Sequence, residues 1–158
     1  MLFQDKTAYR AAMPLKGPLL GLDAGTKTLG LAECDALWRV ASPLKTLHRT
    51  KWKTDIQALE KIVQTHAIQG FVVGWPLLMN GDEGPRCHST LQVARNLLER
   101  IPKPCLLWDE RLSTQACENV LEKKADLTRQ KRAKVIDAVA AAWILGSALD
   151  AMRYLEND

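Results

Sequence analysis

The chain has 158 residues, 47% of them hydrophobic and 25% charged, and a formal net charge of +4 at pH 7. This length and composition predict one globular domain with a sizeable core and exclude a disordered protein. The sequence shows no apolar stretch long enough for a membrane span or a signal peptide. The four cysteines lack the spacing of a zinc site, so we expect reduced thiols and a cytoplasmic protein.

The elements are predicted in chain order from apolar runs and turn residues. We expect residues 1–17 to be a loose N-terminal extension and residues 18–158 to form a single domain. Residues 19–23 and 29–34 are strand candidates joined by a tight turn over residues 24–27. A third strand is expected within residues 37–47, near a sheet edge because of Pro43. After it come a helix over 54–66, a strand over 68–73, a Gly/Pro loop over 74–86, a helix over 89–100, a strand over 104–108, a short helix over 113–123 and a last helix over 129–154.

This order of elements predicts an α/β fold. Three early antiparallel strands followed by helix-strand units indicate a five-stranded mixed sheet, antiparallel and then parallel, with helices on both faces. In such a layout the first strand and the last strand approach each other, and the final helix can pack beside them. Residues that are distant in sequence can therefore share one site.

Asp137 is the most informative single residue. It is the one polar residue in the run from 135 to 146, which predicts a helix buried nearly all round. An ionised carboxylate in such surroundings is unfavourable unless it is paired or coordinates a metal. The sequence therefore predicts a cation, or a special partner, at Asp137.

Two further acidic sites follow apolar runs that read as core strands, Asp23 after the first run and Asp109-Glu110 after the last. Each acid also has an ordinary explanation. Asp23 can begin a turn, Glu110 can pair with Arg111, and Asp137 can accept backbone hydrogen bonds. Their joint occurrence at two strand ends and on a buried helix favours a shared metal site. Alternation puts Glu110 and Asp109 on opposite sides of the strand. We prefer Glu110 as the ligand and keep Asp109 as the alternative, because periodicity near a strand end does not decide between them.

Basic residues are concentrated in two segments. Residues 123–134 contain six basic side chains and one acid, and residues 45–53 contain five basic or histidine side chains and no acid. Such runs are usually solvated surfaces, but the first leads directly into the helix that carries Asp137. This position beside the predicted metal site favours a nucleic-acid substrate.

Four motifs in order resemble the YqgF family, also called the RuvX or Holliday junction resolvase family, from about residue 19 to residue 149. They are Gly21-Leu22-Asp23-Ala24-Gly25-Thr26-Lys27 with Gly30; Val73-Gly74-Trp75-Pro76 with Met79, Gly81, Gly84, Pro85 and Arg86; Trp108-Asp109-Glu110-Arg111-Leu112-Ser113-Thr114; and Asp137 with Ala140-Ala141 and Ile144-Leu145. Thr28 departs from the family, which usually has Arg there, and this puts in doubt a basic contact near the hairpin.

The resemblance implies an RNase H-like fold and a bacterial nuclease that uses divalent metal to mature the 5′ end of the small-subunit ribosomal RNA precursor. Cleavage of branched DNA junctions is the alternative. Carboxylate ligands suit Mg²⁺ or Mn²⁺, and in a two-metal site we assign Asp23 as the bridging ligand, with Glu110 and Asp137 each holding one ion. Candidate phosphate contacts are Lys27, Arg111, Lys131 and Lys134. The resemblance also favours a phosphate-facing role for residues 74–84, which by themselves read equally as a surface connection.

Two other classes of function fit part of the pattern. The Asp23-x-Gly-Thr sequence resembles the first phosphate loop of actin-like ATP-binding domains, but those proteins close two such domains around ATP and this chain has the length of one. A catalytically silent RNA-binding module fits the basic charge. Three acids argue against it, because they repel phosphate in the absence of metal. The sequence is compatible with a monomer or a homodimer and does not distinguish RNA from branched DNA.

Overall fold

A mixed β-sheet lies at the centre of the structure, which is a computed structural model. The structure describes residues 1–14, 16–109, 111 and 129–156, with the side chains of the last helix described over 136–153. Within this part of the chain the strands are β1 (Leu2–Phe3), β2 (Leu19–Ala24), β3 (Thr28–Cys34), β4 (Ala41–His48), β5 (Gly70–Trp75) and β6 (Cys105–Asp109). The helices are α1 (Lys6–Ala12), α2 (Trp52–Thr65), α3 (Pro85–Arg100) and α4 (Arg129–Glu156).

The described strands follow the order β1-β6-β5-β2-β3-β4. β2 and β3 form the expected antiparallel hairpin, whose turn is closed by a 2.9 Å hydrogen bond from the Gly25 N–H to the Thr28 carbonyl. β3 also pairs antiparallel with β4, the edge strand that contains Pro43. β5 pairs parallel with both β2 and β6. The predicted mixed sheet is therefore confirmed.

Helices cover both faces of the sheet, as predicted. One face packs against α2 and α3 through residues such as Leu22 and Phe71. The other packs against α1 and α4 through residues such as Leu19 and Leu106. Because side chains alternate along a strand, each strand contributes to both cores. Among the described helices, none is long and apolar enough to cross a membrane.

The N-terminal residues differ from the expected loose extension. β1 pairs parallel with β6 and makes the sheet six-stranded within the described residues, instead of the five strands predicted. Tyr9 of α1 is fully buried and Met13 is nearly so. The sequence did not indicate this, because a two-residue strand has no periodic pattern. The sheet edge and α4, which are distant in sequence, supply the surface that buries these side chains.

Two helices also differ from their predicted form. α3 begins at Pro85 instead of residue 89, because proline fits the first helical position, where no N–H bond is needed. α4 is not buried all round: Trp143 is 42% exposed, and Ala142, Gly146 and Ser147 are partly exposed. Its alanines let it pack closely on the sheet, and one side remains open to solvent. The helix predicted over residues 113–123 lies outside the described residues.

Candidate active site

Asp23 lies at the carboxyl end of β2, on the sheet face covered by α4. Leu22 packs into the core of the opposite face, so alternation turns Asp23 toward α4. Burial and, to a lesser degree, the negative charge of Asp137 together raise the pKa of the Asp23 carboxyl to about 6, against the opposing effect of the positive charge of Arg86. This carboxyl is therefore partly shielded from water and close to a second acid.

Asp137 is held next to Asp23 by close packing of α4 on the hairpin. A Cβ atom at Gly30 of β3 would lie 2.1 Å from the carbonyl oxygen of Asp137, so the helix approaches this closely only because residue 30 is glycine. Gly30 is the residue opposite Asp23 in the β2–β3 pairing. The hydroxyl of Thr28, also on β3, donates a 2.7 Å hydrogen bond to Oδ2 of Asp137. The structure thus brings together two of the three predicted acids.

Glu110 lies outside the described residues, and its role as the third ligand stays a prediction. The alternative, Asp109, accepts hydrogen bonds of 2.9 to 3.0 Å from Nε of Arg111. These bonds lower the pKa of the Asp109 carboxyl. Trp108 packs toward the core that contains α4, so alternation turns Asp109 toward the other face. Asp109 is therefore engaged in an ion pair and directed away from the two clustered acids.

Among the described residues, the side chains that meet at Asp23 and Asp137 offer oxygen atoms as metal ligands. Two carboxylates and the Thr28 hydroxyl meet here, and hard oxygen ligands are those that Mg²⁺ and Mn²⁺ prefer. Over the described residues, no group of three or more His, Cys, Asp or Glu side chains is placed to hold a metal ion. The described part of the chain thus supplies a pair of acidic ligands.

The four basic residues predicted to contact phosphate differ in how far the structure describes them. Lys27 is exposed in the hairpin turn, and Arg111 is paired with Asp109. Lys131 and Lys134 lie in the first turns of α4, before Asp137, and their side chains are outside the described part. Their contacts with nucleic acid stay predictions.

The sequence matches the family model described as "RuvX: Holliday junction resolvase" over residues 17–151. The chain belongs to the RuvX family. A relative from Paracoccus denitrificans, whose name places it among pre-16S rRNA nucleases, is 50% identical over 155 residues, which is 98% of each chain. A second relative with this name, from Sphingopyxis alaskensis, is 51% identical over 144 residues, or 91% of this chain and 93% of its own.

The RuvX fold of this chain also has a counterpart among solved structures. The crystal structure of the yeast mitochondrial Holliday junction resolvase Ydc2 superimposes with a TM-score of 0.53 and 10% identity, covering 96% of this chain and 87% of the other. At this identity the likeness shows the RNase H-like fold alone. The family match and the names of the relatives make the chain a nuclease, a hydrolase of phosphodiester bonds.

Three side chains of this RuvX protein that lie near the acids or the hairpin turn were not assigned to the site from sequence. They are Thr28, Arg86 and Arg49, whose Nη1 donates a 2.7 Å hydrogen bond to the Gly25 carbonyl in the hairpin turn. Arg49 thus places a basic side chain beside the hairpin turn. In the sequence, Arg49 was noted as a member of the basic segment 45–53. Arg86 stood in a matched motif, but nothing in the sequence indicated that its charge acts on Asp23.

Proposed function

We propose that this RuvX nuclease cleaves the precursor of 16S ribosomal RNA at a divalent-metal site formed by Asp23, Asp137 and Glu110. The observation that carries the proposal is the position of Asp23 and Asp137 on the two sides of the Gly30 contact. The names of its close relatives support the RNA substrate. A ribosomal precursor is made in the cytoplasm, and we place the protein there, as a monomer or a homodimer.

The acidic pair fits a divalent cation for a physical reason. Burial disfavours the charged form of Asp23, and the charge of Asp137 disfavours it further. A bound cation offsets both effects, because it replaces lost hydration and screens the repulsion. The oxygen donors suit Mg²⁺ or Mn²⁺. Glu110, from the same sequence motif as Asp109, is the proposed third carboxylate.

The residues of this chain would have separate tasks in phosphodiester hydrolysis. Asp23 and Asp137 would hold divalent ions, which would supply an activated water and charge stabilisation for the departing oxygen. Thr28 fixes the orientation of the Asp137 carboxylate. Arg86 brings positive charge toward Asp23, where the phosphate must lie. The mechanism requires no protein nucleophile.

Cleavage of a branched DNA junction is the second candidate, favoured by the description of the matching family model. Junction resolution requires cuts in two strands, so it predicts a symmetric dimer in which each copy contributes one acidic pair. Processing of a single RNA strand requires only one. The oligomeric state of the protein on its substrate therefore separates the two candidates.

A side-by-side cleavage assay tests the proposal. Precursor 16S RNA and a four-way DNA junction are each incubated with purified wild type, Asp23→Asn, Asp137→Asn and the matched control Asp150→Asn, in Mg²⁺ and in Mn²⁺. Asp150 lies on the same helix as Asp137, but its side chain is exposed. We expect RNA cleavage by wild type and Asp150→Asn, and losses of at least about a hundredfold in the other two variants.

The results separate the candidates clearly. Cleavage of the junction but not the RNA, by a dimer, favours the second candidate. RNA binding without cleavage in either metal supports a silent binding module. Cleavage that survives Asp23→Asn overturns the assignment of the active site.

A further inference from the structure

A cavity of about 340 Å³ lies between the loop that follows β5 and the first turn of α3. Its lining includes Pro76, Leu78, Met79, Arg86 and Arg111, and we call it the Arg86 pocket. The loop leaves the sheet at the carboxyl end of β5, which pairs parallel with β2 and ends beside Asp23, so the pocket lies at the same end of the sheet as the candidate active site. The pocket therefore lies where the strand that enters that site would pass.

Two guanidinium groups give the pocket positive charge. Arg111 is positioned by Asp109, and its Nη1 lies 3.4 Å from the carbonyl oxygen of Met79. Arg86 forms no ion pair within the described part of the chain. Asp109 offsets part of the charge of Arg111, so Arg86 is the larger contribution to the positive charge of the pocket among the described residues. Guanidinium groups bind phosphate oxygens through two parallel hydrogen bonds, which makes phosphate the expected anion.

The same cavity carries apolar surface that water solvates poorly. Leu78 is 48% exposed and Met79 is 79% exposed. The turn that presents them is fixed by its own hydrogen bonds, 2.9 Å from the Leu78 N–H to the Asp82 carbonyl and 2.8 Å from the Gly81 N–H to the Leu78 carbonyl. Gly81 has φ of 90°, which glycine adopts without strain. The backbone that presents this apolar surface is thus held by its own hydrogen bonds.

Apolar surface beside two cations matches the two parts of a nucleotide, an anionic phosphate and a flat base. In a duplex each base is stacked between its neighbours and cannot offer a face to a protein side chain. An unpaired nucleotide can, because its base is free to lie against apolar side chains. The chemistry of the pocket therefore favours a single-stranded segment over a double helix.

We propose that the Arg86 pocket binds one unpaired nucleotide of the substrate strand, with its phosphate on Arg86 and Arg111 and its base against Leu78 and Met79. The proposal rests on the proposed function, since it assumes a nucleic-acid substrate, and it adds the substrate class. The enzyme acts on strands that are unpaired next to the cut. A fully paired strand can reach the acids, but none of its bases enters the pocket.

Fluorescence anisotropy tests the pocket in two ligands of one sequence, a labelled single-stranded RNA 12-mer and the blunt duplex made from it. Binding is measured in EDTA, so that no cleavage occurs, with wild type, Arg86→Gln, Met79→Ser and Arg95→Gln. Arg95 is exposed on the same helix as Arg86, so its variant loses the same charge outside the pocket. Met79 is largely exposed, so its variant keeps the fold.

Single-stranded binding should weaken roughly tenfold in Arg86→Gln and severalfold in Met79→Ser, and less than about twofold in Arg95→Gln. Duplex binding should not distinguish Met79→Ser from wild type. Equal losses in Arg86→Gln and Arg95→Gln on both ligands would mean that only general charge matters, and this overturns the proposal. So does unchanged single-stranded binding in Met79→Ser.

The pocket proposal and the active-site proposal can be contradicted independently. If Asp23→Asn abolishes cleavage while Met79→Ser binds and cleaves the single strand as wild type does, the pocket proposal is wrong and the nuclease assignment stands. If the pocket variants lose binding but no variant or metal alters cleavage, the proposed active site is wrong instead.

Discussion

The hydroxyl of Thr28 donates a 2.7 Å hydrogen bond to Oδ2 of Asp137, across a separation of 109 residues. It joins the start of β3 to α4 at the point where the helix passes over Gly30. A charged acceptor makes this a strong hydrogen bond, and it restricts the carboxylate to one orientation. The orientation of Oδ2 of Asp137 is therefore set by β3 and not by solvent.

Removal of the Thr28 hydroxyl should weaken metal-dependent cleavage more than it lowers the stability of the fold. Thr28→Val keeps the shape of the side chain and suits a strand, so the fold is retained. Loss of a residue that hydrogen-bonds a metal ligand typically lowers metal affinity or activity by about 10- to 100-fold. We therefore expect the Mg²⁺ concentration for half-maximal cleavage to rise by about tenfold. Thr28→Ser, which keeps the hydroxyl, is the control. An unchanged Mg²⁺ dependence in Thr28→Val would contradict the positioning role.

Close packing of α4 on β3 gives a second prediction. In Gly30→Ala the new Cβ would lie 2.1 Å from a backbone oxygen that cannot rotate away. We expect a loss of about 1–3 kcal/mol in the free energy of unfolding and reduced activity, because Asp137 must move.

Gly146→Ala is the matched control on α4. Its Cβ would meet the Cβ of Ala41 at 3.7 Å, an ordinary contact. Alanine favours a helix over glycine, so this variant should be more stable than wild type by up to about 1 kcal/mol. Urea denaturation measures both, and equal effects of the two substitutions would refute the packing argument.

The sheet could be predicted from sequence because its signals are local. The hairpin follows from two apolar runs around Gly25, and the edge position of β4 follows from Pro43. The last helix was predicted from its alanines, and Asp137 was identified as the one polar residue in the apolar run from 135 to 146. The exposure of Trp143 was not predicted, because an apolar run does not reveal which side of a helix lacks a neighbour.

The site was only partly predictable because its contacts are not local. Asp23 and Asp137 could be expected to meet, since strand ends and a crossing helix converge in this fold. The partners Thr28 and Arg86 could not, because their roles depend on where β3 and α3 place them relative to these acids. A threonine in a turn and an arginine in a loop have many ordinary roles.

The raised pKa of Asp23 predicts a stability effect with a defined sign. The carboxyl titrates near 6 in the metal-free folded protein and near its ordinary value of 3.8 when unfolded. Between these values the folded state binds the proton more tightly, so the contribution of Asp23 to stability decreases as pH rises from about 4 to 6 and is constant above. Asp23→Asn removes this penalty and should stabilise the protein by about 1–3 kcal/mol at pH 7.5.

Urea denaturation in EDTA checks this at several pH values. The gain in Asp23→Asn should shrink as pH falls and approach zero near pH 4, whereas Asp150→Asn, on the exposed side of α4, should show no such dependence. A destabilised Asp23→Asn at pH 7.5 would indicate a structural acid.

Bound metal should make the wild type more stable than Asp23→Asn, which is the reverse of the order expected in EDTA. A divalent ion that binds only the folded state raises the melting temperature with concentration, by about 5–10 °C at a hundredfold excess over its Kd for a chain of this size. Differential scanning fluorimetry with 0 to 20 mM Mg²⁺ or Mn²⁺ measures this. Wild type and Asp150→Asn should respond, and Asp23→Asn and Asp137→Asn should respond much less. A melting temperature that ignores both ions in wild type would argue against the metal site.

The N-terminal elements should be part of the cooperative fold. Tyr9 is fully buried, and its ring lies 5.9 Å from that of Phe3 in an edge-to-face arrangement. Its hydroxyl has no hydrogen-bond partner among the described residues. Tyr9→Ala should therefore cost about 3–5 kcal/mol, as for other buried aromatic side chains. Tyr9→Phe removes only the unpaired hydroxyl and should be neutral or slightly stabilising. Urea denaturation separates the two, and a Tyr9→Ala midpoint equal to that of wild type would show that β1 and α1 are dispensable to the sheet.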